Sequence, residues 1–328
     1  MIITRTPLRI SLGGGGTDLP KYYRDAGHGF LIAAAITKYV YIAVHRNFDD
    51  DVMLKYSAVE RVPTAADAKH PLLRTCLQVT GNDRGLEITS MADIPTGTGL
   101  GSSGSFTVGV LKALRAFRHE LVSNVDLAEQ ACDIEINRLG EPVGKQDQYI
   151  AAVGGLTAFE FHADERVNIV PLELTTSTRH RIEDNLLLFF TGVRRSASEV
   201  LAEQQADRPA GTPTLSDNLD RVRQIGYDTK ATLEADDLNG FGELLTQQWQ
   251  LKYERAPGGV HDEIEIWIRS GIDAGALGGK LVGAGGGGFL LFYAEEKAGL
   301  RERMASFGLE EVRFGIDYEG AATIVSAP

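Results

Sequence analysis

Hydrophobic and polar positions change texture near residue 165. Before it, β-branched and aromatic residues dominate Ile2 to Ile10 and Tyr39 to Val44, and Leu86 to Met91 alternates with period two, the pattern of a half-buried antiparallel strand. From Gly104 to Phe117 the apolar residues Phe106, Val108, Val110, Leu111, Ala113, Leu114 and Phe117 cover most of a helical circumference, so a helix enclosed between layers is predicted. Another helix is predicted from Asp126 to Leu139, with Asp126 and Glu129 spaced as N-cap and N3 and Leu127, Ala131 and Ile134 as its buried stripe. Glu135 falls at the edge of that stripe, where an inward-leaning carboxylate needs a partner.

After Asp164, charged helix-favouring segments run over Ala197 to Gln205, Leu215 to Leu233, Leu238 to Tyr253 and Asp262 to Leu277. Strands are predicted at Leu186 to Thr191 and Phe289 to Tyr293, then a helix at Glu295 to Phe307 and a final strand near Val312 to Ile316. The pattern predicts an α+β protein of two domains, 1–165 and 166–328, with Pro209 to Pro213 as a mobile loop.

Composition narrows the function classes. No apolar run approaches the ~20 residues of a membrane helix and no signal-peptide core opens the chain, so a cytoplasmic protein without membrane contact is expected. Cys76 and Cys132 lack a CxxC spacing and read as packing residues. A net charge of −12 without a Lys/Arg cluster argues against nucleic acid. It also means that any phosphate-bearing substrate must be met by local cations, for which Arg9, Lys38, Arg194, Arg195 and Lys252 are the candidates.

Four constellations carry chemistry. Ile94 to Ser105 reads as a phosphate cradle: Gly97, Gly99, Gly101 and Gly104 free the backbone to turn successive N–H groups inward, a helix begins at once, and Ser102 and Ser103 offer hydroxyls to a phosphate oxygen or Mg²⁺. Gly99 to Gly104 also matches GxGxxG, but an alternating strand ending in Asp93-Ile94-Pro95 does not suit a Rossmann turn, and no Lys follows as in a Walker A loop. In Pro7 to Asp18, a strand delivers Arg9 and then four glycines, Gly15 and Gly16 among them, which let the backbone pass close to a ligand with Thr17 and Asp18 presented on the far side, where an Asp is a good acceptor for paired sugar hydroxyls. Asp18 as a helix cap is the competing reading. Asp147 could serve as a base on a hydroxyl, and Glu135 could hold Mg²⁺ with a serine of the cradle; a plain surface loop competes. The second glycine run, Gly283 to Gly288, flanks phosphates, packs on the first loop, or forms an interdomain turn, with Gly285 and Gly286 as candidate substrate contacts.

Taken in order, Pro7-Leu-Arg9, Pro95-Thr-Gly-Thr-Gly-Leu-Gly-Ser-Ser103 and Gly283-Ala-Gly-Gly-Gly287 resemble the three motifs of the GHMP small-molecule kinases over nearly the whole chain. Pro7 to Pro20, Gly144-Lys-Gln-Asp-Gln-Tyr149, Thr191 to Ser198 and Lys280 to Leu291 look like the heptose 7-phosphate kinase group within it, with fucose kinases similar in the Gly-Gly-Gly-Thr-Asp element. The resemblance implies a ribosomal protein S5 domain 2-like first domain, a ferredoxin-like second domain and a site between them. It further implies ATP phosphates on Gly97, Thr98, Gly99, Leu100, Gly101, Ser102, Ser103 and Gly104, and Mg²⁺ on Ser103 and Glu135. Asp147 is implied as catalytic aspartate with Arg9 beside it, and Thr17 and Asp18 as sugar contacts. The chain departs from the family's usual Pro-Ser-Gly-x-Asp at Pro142-Val-Gly-Lys-Gln-Asp147. The implied reaction is transfer from ATP to the anomeric hydroxyl of a heptose 7-phosphate. Arg194 and Arg195, before a helix start at Ser196, and Lys252 are the candidates for its distal phosphate. The implied partner is this small sugar phosphate; an unphosphorylated sugar such as fucose is the alternative, and homo-oligomerisation is left open.

Overall fold

A computed structural model of the chain describes residues 1–194, 214–255, 260–283 and 285–327. Arg195, the expected helix at 197–205 and the Pro209 to Pro213 loop lie outside the described residues.

The first half is built on two long strands. Strand β1 (Ile2–Gly13) pairs antiparallel along nearly its whole length with β2 (His28–Arg46), and α1 (Pro20–Ala26) lies between them in sequence. The other edge of β2 serves two partners, β6 (Leu156–His162) against residues 28–34 and β5 (Leu86–Ala92) against 40–46. A small hairpin, β3 (Val52–Lys55) and β4 (Val59–Val62), extends the sheet through parallel pairing of β3 with β5, and β7 (Val167–Pro171) extends it beyond β6. Helices α2 (Pro71–Val79), α3 (Ser102–Phe117), α4 (Asn124–Cys132) and α5 (Gln146–Val153) complete this half.

Helix α3 is enclosed as its all-round apolar pattern predicts, and two of its hydroxyls are hydrogen-bonded to backbone carbonyls. The Ser105 hydroxyl donates to the Pro7 carbonyl at 2.7 Å, and Thr107 donates to the Ser103 carbonyl at 3.0 Å. The helix approaches β1 closely, because a Cβ on Gly109 would lie 2.7 Å from the Thr6 hydroxyl. Helix α4 is capped by Ser123, which accepts from the Asp126 N–H at 3.1 Å, so the cap lies three residues before the expected Asp126. Beyond Cys132 the helix continues as a π-helical stretch, Asp133–Arg138, a widened turn that carries Glu135.

The second half packs helices on both faces of an antiparallel sheet. After α6 (Thr176–Asn185), β8 (Leu186–Phe190) is followed by α7 (Leu215–Glu234), α8 (Leu238–Arg255) and α9 (Val260–Asp273). Strands β9 (Gly278–Leu281), β10 (Phe289–Tyr293), then α10 (Lys297–Ser306) and β11 (Glu310–Glu311), complete a sheet of order β11-β8-β10-β9. Strands β8 and β10 are apolar throughout because both faces are covered. Leu186, Leu188, Phe289, Leu291 and Tyr293 join a core shared with the first half, whereas Leu187, Phe189, Leu290 and Phe292 face a second core with Ile264, Ile268, Leu300 and Met304.

The α+β class therefore holds, but the ends of the elements differ from the sequence reading. Strand β11 covers only Glu310–Glu311, and the expected strand at Val312 to Ile316 is reduced to a backbone bond from Val312 N–H to Leu188 and an isolated bridge from Ile316 to Ile36. The last strand, β12 (Ala322–Ser326), returns to pair with β1. The expected boundary at 165/166 falls inside the β6–β7 hairpin. Among the described residues no helix is long and apolar enough to cross a membrane.

Phe159 is fully buried on β6, with its ring 6.1 Å from Tyr149 and 6.3 Å from Phe161. Phe159→Ala should lower the unfolding free energy by about 3–5 kcal/mol in urea denaturation; a loss below about 1 kcal/mol would exclude this position from the core.

Candidate functional site

The two halves enclose a cavity of about 680 Å³ between β1, the start of α3, the start of α5 and the turn after β9. Its centre is an ion pair. Arg9, presented by β1 and only 5% exposed, donates from Nε to Asp147 Oδ1 at 2.6 Å and from Nη1 to the Gly99 carbonyl. The Arg9 backbone N–H donates to the Leu100 carbonyl at 2.9 Å, which fastens the strand to the glycine loop.

The glycines at the start of α3 make this approach sterically feasible. Gly101 adopts φ +76°, and a Cβ there would lie 3.0 Å from Arg9 Cγ and 3.2 Å from Asp147 Cγ. On Gly104 it would lie 2.7 Å from Asp147 Cβ. Loop and helix therefore press directly on the Arg9–Asp147 pair, with Asp147 at the second position of α5.

Glu135, 2% exposed, accepts from Ser103 Oγ at 2.6 Å and from Gln148 Nε2 at 3.1 Å. Burial raises its pKa, and the nearby Asp147 charge adds to the rise, against the lowering effect of Ser103, Gln148 and Thr107. Ser102 Oγ is buried without a partner and Ser102 lines the same cavity. A hydroxyl, a carboxylate and an orphaned hydroxyl form the hard-oxygen donor set that suits a magnesium ion retaining phosphate and water ligands. Among the described residues no cluster of three His, Cys, Asp or Glu side chains offers a cage.

Asp18 is buried and does not cap α1, whose N-cap position is Leu19. Its carboxylate instead accepts from Gly16 N–H at 3.0 Å, Gln146 N–H at 3.1 Å and Gln146 Nε2 at 3.3 Å, joining the first glycine turn to the start of α5. Burial raises its pKa, reinforced by the Asp147 charge and countered by the Gln146 N–H. A Cβ on Gly144 would sit 1.9 Å from Asp18 Oδ2, so this seam tolerates only glycine there.

The second glycine run packs on the first. A Cβ on Gly283 would lie 2.5 Å from Gly99 Cα, and on Gly288 it would lie 2.1 Å from the Thr98 carbonyl. Lys252 holds this turn by donating to the Leu281 and Gly283 carbonyls at 2.9 and 2.6 Å. Lys280 donates to Gln248 Oε1 at 2.5 Å and to the Leu12 carbonyl at 3.2 Å. Burial, with Lys280, Arg255 and Arg9 nearby, puts the Lys252 pKa well below the usual lysine range. Burial and Arg9 bring Lys280 down to about 7.

Most predicted site residues meet here. Arg9, Gly15, Gly16, Asp18, Gly97, Gly99, Gly101, Ser102, Ser103, Gly104, Glu135, Asp147, Arg194, Lys252, Gly285 and Gly286 line the cavity. Four others do not, the first being the candidate cation Lys38, which lies on β2 away from the cavity lining. Thr17 is fully buried, with its hydroxyl 2.9 Å from the Gly14 carbonyl and 2.8 Å from the Phe30 carbonyl, and it accepts from Phe30 N–H at 3.1 Å. Its polar capacity holds the turn. Thr98 Oγ1 donates to the Pro95 carbonyl at 3.1 Å, and the Leu100 side chain enters the core, so these two shape the cradle from behind.

Sequence reasoning missed Gln146, Gln148 and Lys280 as site residues, although all three stand in the strings Gly144 to Tyr149 and Lys280 to Leu291. It also missed an aromatic wall. Tyr56, His70 and Phe106 line the cavity, with His70 4.7 Å from the Tyr56 ring and 5.5 Å from the Phe106 ring. These three come from separate elements, and no local pattern joins them.

The chain matches two family models, "GHMP kinases N terminal domain" over residues 65–155 and "GHMP kinases C terminal" over 229–308. It is 28% identical over 308 residues to the D-glycero-alpha-D-manno-heptose 7-phosphate kinase of Campylobacter jejuni, covering 90% of this chain and 89% of that one. It is 26% identical over 328 residues to the bifunctional fucokinase/GDP-fucose pyrophosphorylase of Arabidopsis thaliana, covering 91% of this chain and 30% of that protein. The crystal structure of a D-glycero-D-manno-heptose 1-phosphate kinase from Bacteroides thetaiotaomicron shares the fold, with a TM-score of 0.81 over the whole of both chains at 23% identity.

The Lys280 shift has a signed consequence. The folded protein binds fewer protons than the unfolded chain between about pH 7 and the ordinary lysine value of 10.5, so this group's contribution to stability grows as pH rises through that window. Between pH 7 and 9 the gain should reach up to about 2 kcal/mol in urea denaturation, and Lys280→Met should show a correspondingly flatter rise. Equal pH slopes in the two proteins would contradict the assignment.

Proposed function

The chain belongs to the GHMP kinases, whose two family models together match more than half of it, and from that premise we propose that it transfers the γ-phosphoryl group of ATP to the anomeric hydroxyl of D-glycero-D-manno-heptose 7-phosphate. The observation that carries this reading is the Arg9–Asp147 pair, 2.6 Å apart and pressed against the glycine loop, in a cavity also lined by Asp18 and Arg194.

In this reading the backbone amides around Gly97 to Ser103 and the N-terminus of α3 hold the phosphate oxygens. The aromatic wall of Tyr56, His70 and Phe106 gives the nucleotide base a face to pack on. Ser103 and Glu135 would hold Mg²⁺, which when bound neutralises charge on the terminal phosphates. Asp147 accepts the proton of the sugar hydroxyl as that oxygen bonds to the γ-phosphorus and the bond to the ADP oxygen breaks. Arg9 fixes the carboxylate on one oxygen and brings positive charge to the transferring group. Catalysis is then mostly positioning and electrostatics, which suits a site so tightly set by backbone contacts.

A protein with net charge −12 must concentrate cations where it binds anions. Among the described residues five cationic side chains line the cavity, Arg9, Arg194, Lys252, Arg255 and Lys280, against the acids Asp18, Glu135, Glu141 and Asp147. For the acceptor's distal phosphate we favour Arg194, whose guanidinium lies 5.8 Å from the Phe190 ring centre at the cavity wall. The Lys252 ammonium is already engaged with two backbone carbonyls. The likeness to the Campylobacter jejuni heptose 7-phosphate kinase supports the heptose reading, and the likeness to a fucokinase supplies the competing acceptor.

Mg²⁺-dependent ADP release should be fast with D-glycero-D-manno-heptose 7-phosphate and at least about tenfold slower with the free heptose, mannose 6-phosphate or fucose. Turnover only with an unphosphorylated sugar would remove the distal-phosphate role. Asp147→Asn should keep ATP affinity and lose roughly 10²- to 10⁴-fold in kcat; near-normal turnover would take the base role from Asp147.

A further inference from the structure

Lys145 stands directly before the Gln146–Val153 helix that presents Asp147, yet it does not line the main cavity. It lines a second cavity of about 100 Å³, with Tyr23, Cys132, Tyr149 and Glu165. Its ammonium, on a side chain only 10% exposed, donates to Glu165 Oε2 at 2.6 Å and lies 5.2 Å from the Tyr23 ring centre.

Glu165 is an unusual residue to find at the other end. It sits in the turn between β6 and β7 with φ +71°, a left-handed conformation that non-glycine residues rarely adopt. Its carboxylate accepts from three donors: Tyr23 Oη at 2.8 Å, Arg24 Nε at 2.6 Å and Lys145 Nζ at 2.6 Å. Burial alone would raise its pKa, but the hydrogen bonds from Arg24, Lys145 and Tyr23 outweigh it and bring the value down to about 2. The backbone adds a fourth tie, since Ala163 N–H in the same turn donates to the Gly27 carbonyl at the end of α1 at 3.2 Å.

The two segments gathered by Glu165 are the two that carry the acceptor-side acids. Tyr23 and Arg24 belong to α1, which begins two residues downstream of Asp18, and Lys145 is two residues upstream of Asp147. The segments also meet directly, through Lys145 N–H to the Asp18 carbonyl at 3.3 Å, Gln146 N–H to Asp18 Oδ2 at 3.1 Å and Gln146 Nε2 to Asp18 Oδ1 at 3.3 Å. Those contacts alone are few and partly long.

We propose that the Lys145–Glu165 ion pair is a latch that sets the position of Asp147 relative to Asp18, so that both are positioning residues for the acceptor side of the site. The latch also gives a purpose to the Gly144-Lys-Gln-Asp147 sequence, where this chain departs from the usual family pattern. The nucleotide cradle at 97–104 hangs from α3 and the Arg9 strand, and among the described residues no hydrogen bond joins it to Lys145 or Glu165. Loosening the latch should therefore disturb one half of the site and spare the other.

Glu165→Gln and Lys145→Met, each in the full chain, test this in two ways. In hydrogen exchange followed by mass spectrometry on the ligand-free protein, amides of 15–20 and 144–149 should exchange about tenfold faster, with those of 97–104 unchanged. In steady-state assays with D-glycero-D-manno-heptose 7-phosphate, kcat should fall about tenfold and the acceptor KM rise, with the ATP KM within about twofold, and Lys145→Arg should restore most of the loss. Unchanged exchange at 144–149, exchange raised equally at 97–104, or equal shifts in both KM values would overturn the latch. The kinetic arm rests on the proposed acceptor; the exchange arm does not, so a protein that ignores this heptose phosphate would still decide the question.

Discussion

The arrangement depends on one ion pair, in which a buried arginine meets a half-buried aspartate. Arg9 is almost wholly removed from water, and a buried guanidinium is tolerable only when its donors are matched. Here they meet Asp147 and the Gly99 carbonyl, while the Arg9 backbone N–H meets the Leu100 carbonyl. One residue thus joins β1, the glycine loop and α5. The glycines at 101 and 104 follow from it, since side chains there would occupy the space that the pair and the first turn of α5 need. So does the packing of the second glycine run, whose Gly283 lies against Gly99 from the other half of the protein. On the side of the two glycine runs the cavity is consequently walled by closely packed backbone with little room to rearrange.

That rigidity has an electrostatic cost. Lys252 and Lys280 are buried near Arg9 and near each other, and their shifted pKa values express the strain of like charges out of water. Acids offset part of it, but Asp18 and Glu135 are themselves buried and shifted upward. An incoming polyanion would relieve the cations, whereas hard-cation binding would relieve Glu135. The site is therefore poised for a phosphorylated ligand even though the molecule as a whole carries a charge of −12.

Much of this was legible in the sequence, for identifiable reasons. The doubly covered strands read as unbroken apolar runs at 186–190 and 289–293, and α3 as apolar all round, because burial on every side leaves no polar positions. The glycine runs read as close backbone approaches, and they are. What the pattern could not give was the direction of side chains between the glycines: Thr17, Thr98 and Leu100 stand inside binding strings but point into backbone seams or core. The Ser123 cap escaped because Asp126 and Glu129 offered a competing capping spacing three residues later. Strand β12 escaped because its partner, β1, is more than 300 residues away in sequence, and a domain boundary drawn on texture does not register a chain that comes back. The aromatic wall and the Glu165 junction are likewise tertiary, assembled from residues with no local period.

If Arg9 and Asp147 act as a single unit, their contributions to turnover cannot be independent. A double-mutant cycle on kcat with Arg9→Met, Asp147→Asn and the combined variant tests this most directly. The double variant should be no slower than the slower single variant within about threefold, because either change already dismantles the pair. Losses that multiply across the two sites would show that Arg9 and Asp147 work separately and that the pair is not one unit.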